Sequence, residues 1–403
     1  MKDFSLSAER RNIFLFYLLT AVMNFWFIAS NWIYFWTKYM TYGQLGWVDA
    51  LGFGFALLLE VPSGAVADLI GRRKTILVGM LAGTVGVAII SFSGTLSGIF
   101  IGWLITQICY SFFSGAAEAL AYDSLVDLHE EERFDAVITR SSEIEGYVTA
   151  MTILIGGFLY SVHFRLPHIL WGSGFAIGAF ASFFLFEPRV DSERFSFRKY
   201  FKQLFVGIKE LTQTGLRQFI GFFFILVGVY YMYSWGFIRP ALATSFGFFA
   251  KEQGLILPAL ILLGAIIVRS VPYLKRKISD IWGLVILSIL MACGFFLAGL
   301  PIGYYGIFSM ILIMIAGRLA TPWISIIVNK RIDSKNRATT LSTVALLTKI
   351  PYVLVAVAAG KMIEEGKIGL FARSTGLVIF GVILLSMMII LLYRSHSKHA
   401  EAF

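Results

Sequence analysis

Long apolar runs, each closed by charged residues or by Gly and Pro, organise the whole chain. They fall at about 13–37, 46–67, 75–93, 98–125, 138–161 and 167–186, and again at about 217–238, 253–273, 281–300, 303–327, 341–363 and 370–393. A helix rising 1.5 Å per residue needs ~20 apolar residues to cross a hydrocarbon core of ~30 Å. The pattern therefore predicts an all-α membrane protein with twelve transmembrane helices in two pseudo-symmetric six-helix bundles. The stretch between the sixth and seventh runs is polar, basic and amphipathic. The expected organisation is an N-terminal bundle over 1–186, a cytoplasmic linker over 187–216 and a C-terminal bundle over 217–403, ending in a short charged tail from Arg394.

Composition removes the soluble alternatives. Of 403 residues, 58% are hydrophobic and 14% charged, against about half and a quarter in soluble domains. Too few polar residues remain to cover a water-facing surface. The net charge of +10 suggests an anionic partner, but most Lys and Arg sit in the termini and in alternate loops. That asymmetry is the positive-inside rule, which predicts cytoplasmic termini and explains the charge without nucleic acid. The first run follows Arg10 and Arg11, is too long for a signal-peptide core and lacks a small-x-small cleavage site, so it reads as a retained helix. No Asn-x-Ser/Thr acceptor occurs, as fits a multi-pass protein of a bacterial inner (plasma) membrane. Cys109 and Cys293 lie in separate runs and form neither a disulfide framework nor a metal signature. No cofactor or metal is expected.

An internal repeat supports the six-plus-six division. A shift of 203 positions lays Arg72-Arg73-Lys74 over Lys275-Arg276-Lys277, Trp32 over Trp235 and Gly157 over Gly360. Between the second and third runs stands Gly64-Ala65-Val66-Ala67-Asp68-Leu69-Ile70-Gly71-Arg72-Arg73-Lys74. This resembles the signature loop of the major facilitator superfamily, and in particular the drug/proton antiporter-like branch; Leu69 replaces the usual basic residue. Asn336-Arg337-Ala338-Thr339-Thr340-Leu341-Ser342, before the eleventh run, resembles a second element of the same superfamily. The resemblance implies a secondary transporter, and a conformational latch from Gly64, Asp68, Gly71, Arg72, Arg73 and Asp123. Two features of drug exporters are missing: Ser111 stands where they carry Arg in the fourth helix, and Ile153 where the antiporter motif carries Pro.

Charges deep in apolar runs are functional hypotheses, because each costs about 2.5–3.5 kcal/mol at mid-membrane. Glu60, Glu118, Glu145, Arg318 and Lys349 all lie near run midpoints. Left alone they would cost on the order of 12–17 kcal/mol together, so pairing or water is required. Glu118, Glu60 and Glu145 are the candidate proton carriers, with Arg318 and Lys349 neutralising them or holding an anionic solute. The five histidines all map to loops or tails. Helical spacing puts Gln107, Ser111, Gly115, Glu118 and Tyr122 on one stripe, and Lys349 with Tyr352 on another. Asn24, Asn31, Trp32, Tyr231 and Trp235 complete the candidate substrate-binding set; interhelical hydrogen bonding is the equal alternative for the Asn, Ser and Thr positions.

These readings converge on a secondary active transporter, not an enzyme, since the interior offers no His and no cysteine pair. The expectation is alternating-access movement of a small organic solute, powered by a proton gradient, with efflux of amphipathic compounds or drugs first. Proton-coupled uptake of an organic anion and a lipid flippase or scramblase on the same fold are the alternatives. A monomer in contact with membrane lipids is expected.

Overall fold

The computed structural model describes residues 7–188, 197–213, 216–331 and 334–400. The described residues fold almost wholly into helices, with no strand among them. Among the described residues, ten helices are long and apolar enough to cross a membrane. Two shorter ones, α1 (Ala8–Met23) and α7 (Leu166–Ser182), occupy the first and sixth predicted runs.

The chain divides into two compact units: Met1–Met40, Leu51–Tyr200 and Ala250–Ala259 in the first, and Thr41–Ala50, Phe201–Phe249 and Leu260–Phe403 in the second. The first is built on α1, α2 (Trp32–Trp36), α3 (Tyr42–Ile70), α4 (Arg72–Phe92), α5 (Leu96–Asp127), α6 (Phe134–Val162) and α7, with α8 (Phe197–Gln213) at its boundary. The second holds α9 (Ile220–Phe223), α10 (Tyr230–Trp235), α11 (Ile238–Ser245), α12 (Ala250–Val268), α13 (Val271–Lys277), α14 (Asp280–Ala298), α15 (Gly306–Arg331), α16 (Ser334–Glu364) and α17 (Ile368–Ala400). The first turns of α3 group with the second unit, and those of α12 with the first.

Small residues set the tightest packing, as expected where lipid removes the hydrophobic drive between helices. A Cβ on Gly86 of α4 would lie 2.7 Å from the Gly102 carbonyl of α5, so only glycine allows this approach. In the first unit α4 packs against α5 and α7; in the second, α14 packs against α15 and α17. In run order these are the third, fourth and sixth helices of each half, so the packing repeats where the sequence does.

Two predicted helices are interrupted. The first run, expected to be continuous over 13–37, is α1, a turn segment and α2. Asn24 closes α1, its amide donating to the Thr20 carbonyl at 3.0 Å while its side-chain oxygen accepts from Trp26 Nε1 at 3.2 Å; an Asn side chain competes with the helix for backbone groups. The seventh run is broken more thoroughly. A 3-10 turn over Arg217–Phe219, α9, a π-helical segment over Phe224–Val229 and α10 follow one another, and then Gly236 takes an extended conformation before α11. Both interruptions fall in the first helix of a half.

Candidate functional site

The loop between α3 and α4 turns on Gly71, whose φ of +94° lies in the left-handed region that glycine adopts readily. Gly71 offers no side chain to cap α4. The cap arrives from far along the chain: the Glu187 carboxylate accepts the Arg72 amide at 2.7 Å and the Arg73 amide at 2.8 Å. A negative group there complements the positive end of the helix. The Arg72 guanidinium donates to the Ala119 carbonyl at 2.6 Å and pairs with Asp123, which is almost fully buried. Arg73 donates to the Phe183 carbonyl at 2.9 Å. Arg72, Arg73 and Asp123 are thus brought together, and Glu187 joins them. Sequence reading placed Glu187 at the start of the linker; its only signal was being the acid that closes the sixth run. Gly64 and Asp68 fall within α3, and their surroundings lie outside the described residues, as do the side chains of 336–340.

The second unit carries a counterpart. Lys275, which the repeat lays on Arg72, pairs with Asp280, and Arg331 pairs with the same carboxylate at 2.9 Å. The Lys275 ammonium lies 4.5 Å from the Trp323 ring centre, and the Arg331 guanidinium 4.8 Å from that of Phe219, both in cation-π range. Burial pulls the Lys275 amine below its ordinary value, and Asp280 opposes that shift. The repeat found the base but not its acid, because the acid moved from the end of one helix (Asp123 on α5) to the start of another (Asp280 on α14).

Within the first unit the three candidate carboxylates differ. Glu118 is exposed on α5, between the buried Ala117 and Leu120, and has no hydrogen-bond or ion-pair partner among the described residues. One turn earlier, a Cβ on Gly115 would meet nothing within 4 Å, so this face is open. Glu145 on α6 is exposed and Glu60 on α3 half-buried. Of the rest of the predicted stripe, Tyr122 is also exposed, while the two members nearer the start of α5 turn inward. Gln107 and Ser111 are buried, and the Ser111 hydroxyl faces the Ala56 carbonyl at 3.5 Å.

Both candidate asparagines are tied into helix packing. Asn31 is fully buried, its amide donating to the Phe27 carbonyl at 2.8 Å and the Gly156 carbonyl of α6 at 3.1 Å. Asn24 accepts from Thr149 at 3.4 Å, and its backbone carbonyl from Thr152 at 3.2 Å. Trp32 stands edge-on to Trp36 at 5.2 Å. One expectation is corrected outright: His168 is not in a loop but is the third residue of α7, fully buried with its ring 4.1 Å from that of Phe35. The predicted run begins at about 167, so His168 stood at its edge beside Pro167 and read as part of the preceding loop.

In the second unit Arg318 is exposed on α15 and Lys349 half-buried on α16. Trp235, exposed at the end of α10, has its ring 6.4 Å from that of Tyr231, which in turn lies 6.3 Å from Tyr352. Tyr352 does not share an open face with Lys349. It is fully buried, and its hydroxyl donates to the carboxylate of Asp49, itself only 2% exposed, in the first turns of α3. Sequence reading missed two residues here. Asp49 was an ordinary acid near the start of a run, and Arg239 lay one residue past the edge of the seventh run; tertiary packing buries the first and half-buries the second, sealing its Nε.

The family model of the Major Facilitator Superfamily matches residues 13–356. No curated protein matches the chain. Among solved structures, the nucleoside transporter NupG superposes with a TM-score of 0.73 at 15% identity, covering 96% of this chain and 99% of that one. A POT family transporter in complex with 5-aminolevulinic acid superposes with a TM-score of 0.68 at 14% identity, covering 94% of each chain. At such identities the likeness is one of fold.

Proposed function

Because this chain belongs to the Major Facilitator Superfamily, and is therefore a multi-pass membrane transporter of small molecules, we propose that it couples solute movement to protons and exports amphipathic organic compounds by alternating access. The observation that carries the coupling is Glu118: an exposed carboxylate on an open face of a long apolar helix, without an ion-pair partner among the described residues. Facing acyl chains, it would cost about 2.5–3.5 kcal/mol, so a wetted face is its reasonable environment. A wet, unpaired carboxylate can take up and release a proton as access alternates. Glu60 and Glu145 are secondary carriers. The Gly71–Arg73 turn with Asp123 supports the latch reading, in which the Arg72–Asp123 ion pair forms in one state and weakens in the other. The distribution of Lys and Arg supports cytoplasmic termini, the lack of Asn-x-Ser/Thr acceptors fits a bacterial plasma membrane, and the working unit is a monomer.

The test uses purified full-length protein in proteoliposomes with an imposed pH gradient and a broad panel of organic solutes. Glu118→Gln is expected to abolish gradient-driven movement while leaving exchange without a gradient, and Glu118→Asp to retain part of the coupled rate. Gradient-driven transport by Glu118→Gln at the wild-type rate would remove the assignment. Uptake of an organic anion is the second reading, favoured by the exposed Arg318; the sign of the gradient that drives accumulation separates it from export. Fluorescent-lipid translocation in the same liposomes without added solute would indicate a lipid carrier instead.

A further inference from the structure

Arg239, the second residue of α11, sits just beyond the break at Gly236. Its Nε is sealed from solvent and has no acceptor. Among the described residues the groups that act on it electrostatically are Tyr233, Tyr230 and Arg318: two phenols and a second guanidinium, with no carboxylate. Tyr233 is 2% exposed, and its hydroxyl also lacks a partner. Two positions without a side chain make room for Tyr230 and for Arg318. A Cβ on Gly264 would stand 3.1 Å from the Arg318 Cγ and 3.3 Å from its Nε, and one on Gly317 would run into the Tyr230 ring. Arg239 as a whole is half-buried; sealing its Nε near a second guanidinium raises the energy of both, and a charge taken partly out of water is stabilised by a countercharge. The O–H and N–H groups here are donors without acceptors, which is the complement of an anion and not of a neutral solute.

We propose that Arg239, Arg318 and Tyr233 form a subsite for the anionic group of the transported solute, a carboxylate or a phosphonate or phosphate of an otherwise apolar molecule. This deepens the transporter reading by fixing the solute's charge, and it does not depend on proton coupling. The planar guanidinium offers paired donors to two oxygens of such a group, while the phenol donates to one. Arg318, exposed where Arg239 is half-buried, is the first to meet the anion, and Arg239 holds it.

The experiment is thermal unfolding of the purified full-length protein in neutral detergent at fixed pH with phenylacetate, phenylphosphonate, the uncharged phenylacetamide and a short-chain phosphatidylglycerol. A ligand of the folded state raises the unfolding midpoint in proportion to its affinity. Phenylacetate or phenylphosphonate is expected to stabilise and phenylacetamide not. Arg239→Gln is expected to weaken the effect at least about tenfold in concentration, Arg239→Lys less, and Tyr233→Phe a few-fold, in line with loss of charge-assisted hydrogen bonds. The apo Arg239→Gln protein should melt no lower than wild type, because its removal relieves repulsion from Arg318; a purely structural arginine would lower it. Equal stabilisation by phenylacetamide, no stabilisation by either soluble anion, an unchanged anion effect in both Arg239→Gln and Tyr233→Phe, or stabilisation by the phospholipid alone would each overturn the proposal. Gradient-driven transport retained by Glu118→Gln would sink the coupling reading and leave these binding results standing, so the two readings fail separately.

Discussion

Glu187 offers a direct test of how the α4 loop is held. Its carboxylate caps two backbone amides of α4 at 2.7 and 2.8 Å, and Gly71 supplies no cap of its own. Losing a helix cap costs about 0.5–2 kcal/mol, and losing a negative charge at a helix N-terminus costs about 0.3–1 kcal/mol more. Glu187→Ala should therefore destabilise by about 1–3 kcal/mol. Glu187→Gln keeps one acceptor oxygen without the charge and should fall between wild type and Glu187→Ala. At about 2–4 °C per kcal/mol for a body of 150–250 residues, the alanine protein should melt several degrees low. Detergent-solubilised protein followed by a fluorescent thiol-independent melt, at low and high salt, is the assay. The wild-type advantage should shrink with salt only by its charge–dipole part, since the hydrogen bonds themselves are not screened. A Glu187→Ala protein melting with wild type, or a glutamine variant worse than the alanine one, would refute the capping argument.

Three further outcomes are expected. Arg72→Ala leaves the nearly buried Asp123 without its guanidinium and should cost about 3–5 kcal/mol, whereas the Arg72→Ala/Asp123→Ala double variant should recover part of that; a coupling energy near zero in the cycle would show the pair to be incidental. Asn31→Ala removes donors to the Phe27 and Gly156 carbonyls and should lower stability by about 1–2 kcal/mol with solute affinity unchanged; lost affinity at unchanged stability would return Asn31 to the binding site. Gly317→Ala drives a methyl into the Tyr230 ring and should cost about 1–3 kcal/mol through overpacking, together with the anion-dependent stabilisation, both read in the same melt.

The fold class was legible in the sequence because membrane helices are specified locally: each must satisfy its own backbone and present an apolar surface to lipid, so length and hydropathy suffice. Within the latch set read from the sequence, Arg72 pairs with Asp123 while the Arg73 side chain turns to the Phe183 carbonyl. Tertiary structure decided the rest. Asn31 and Tyr352 carried the same polar signal as a cavity lining, yet one bonds to a neighbouring helix and the other to Asp49. Periodicity tells which residues share a helix face but not which neighbour that face meets. Glu187 became a cap, Asp280 a shared countercharge and Arg239 a half-buried cation only because residues far apart in the chain were brought within hydrogen-bond or electrostatic reach. In lipid the run of apolar residues fixes that a segment crosses, while the small side chains that allow close approach fix what each polar group finds on the other side.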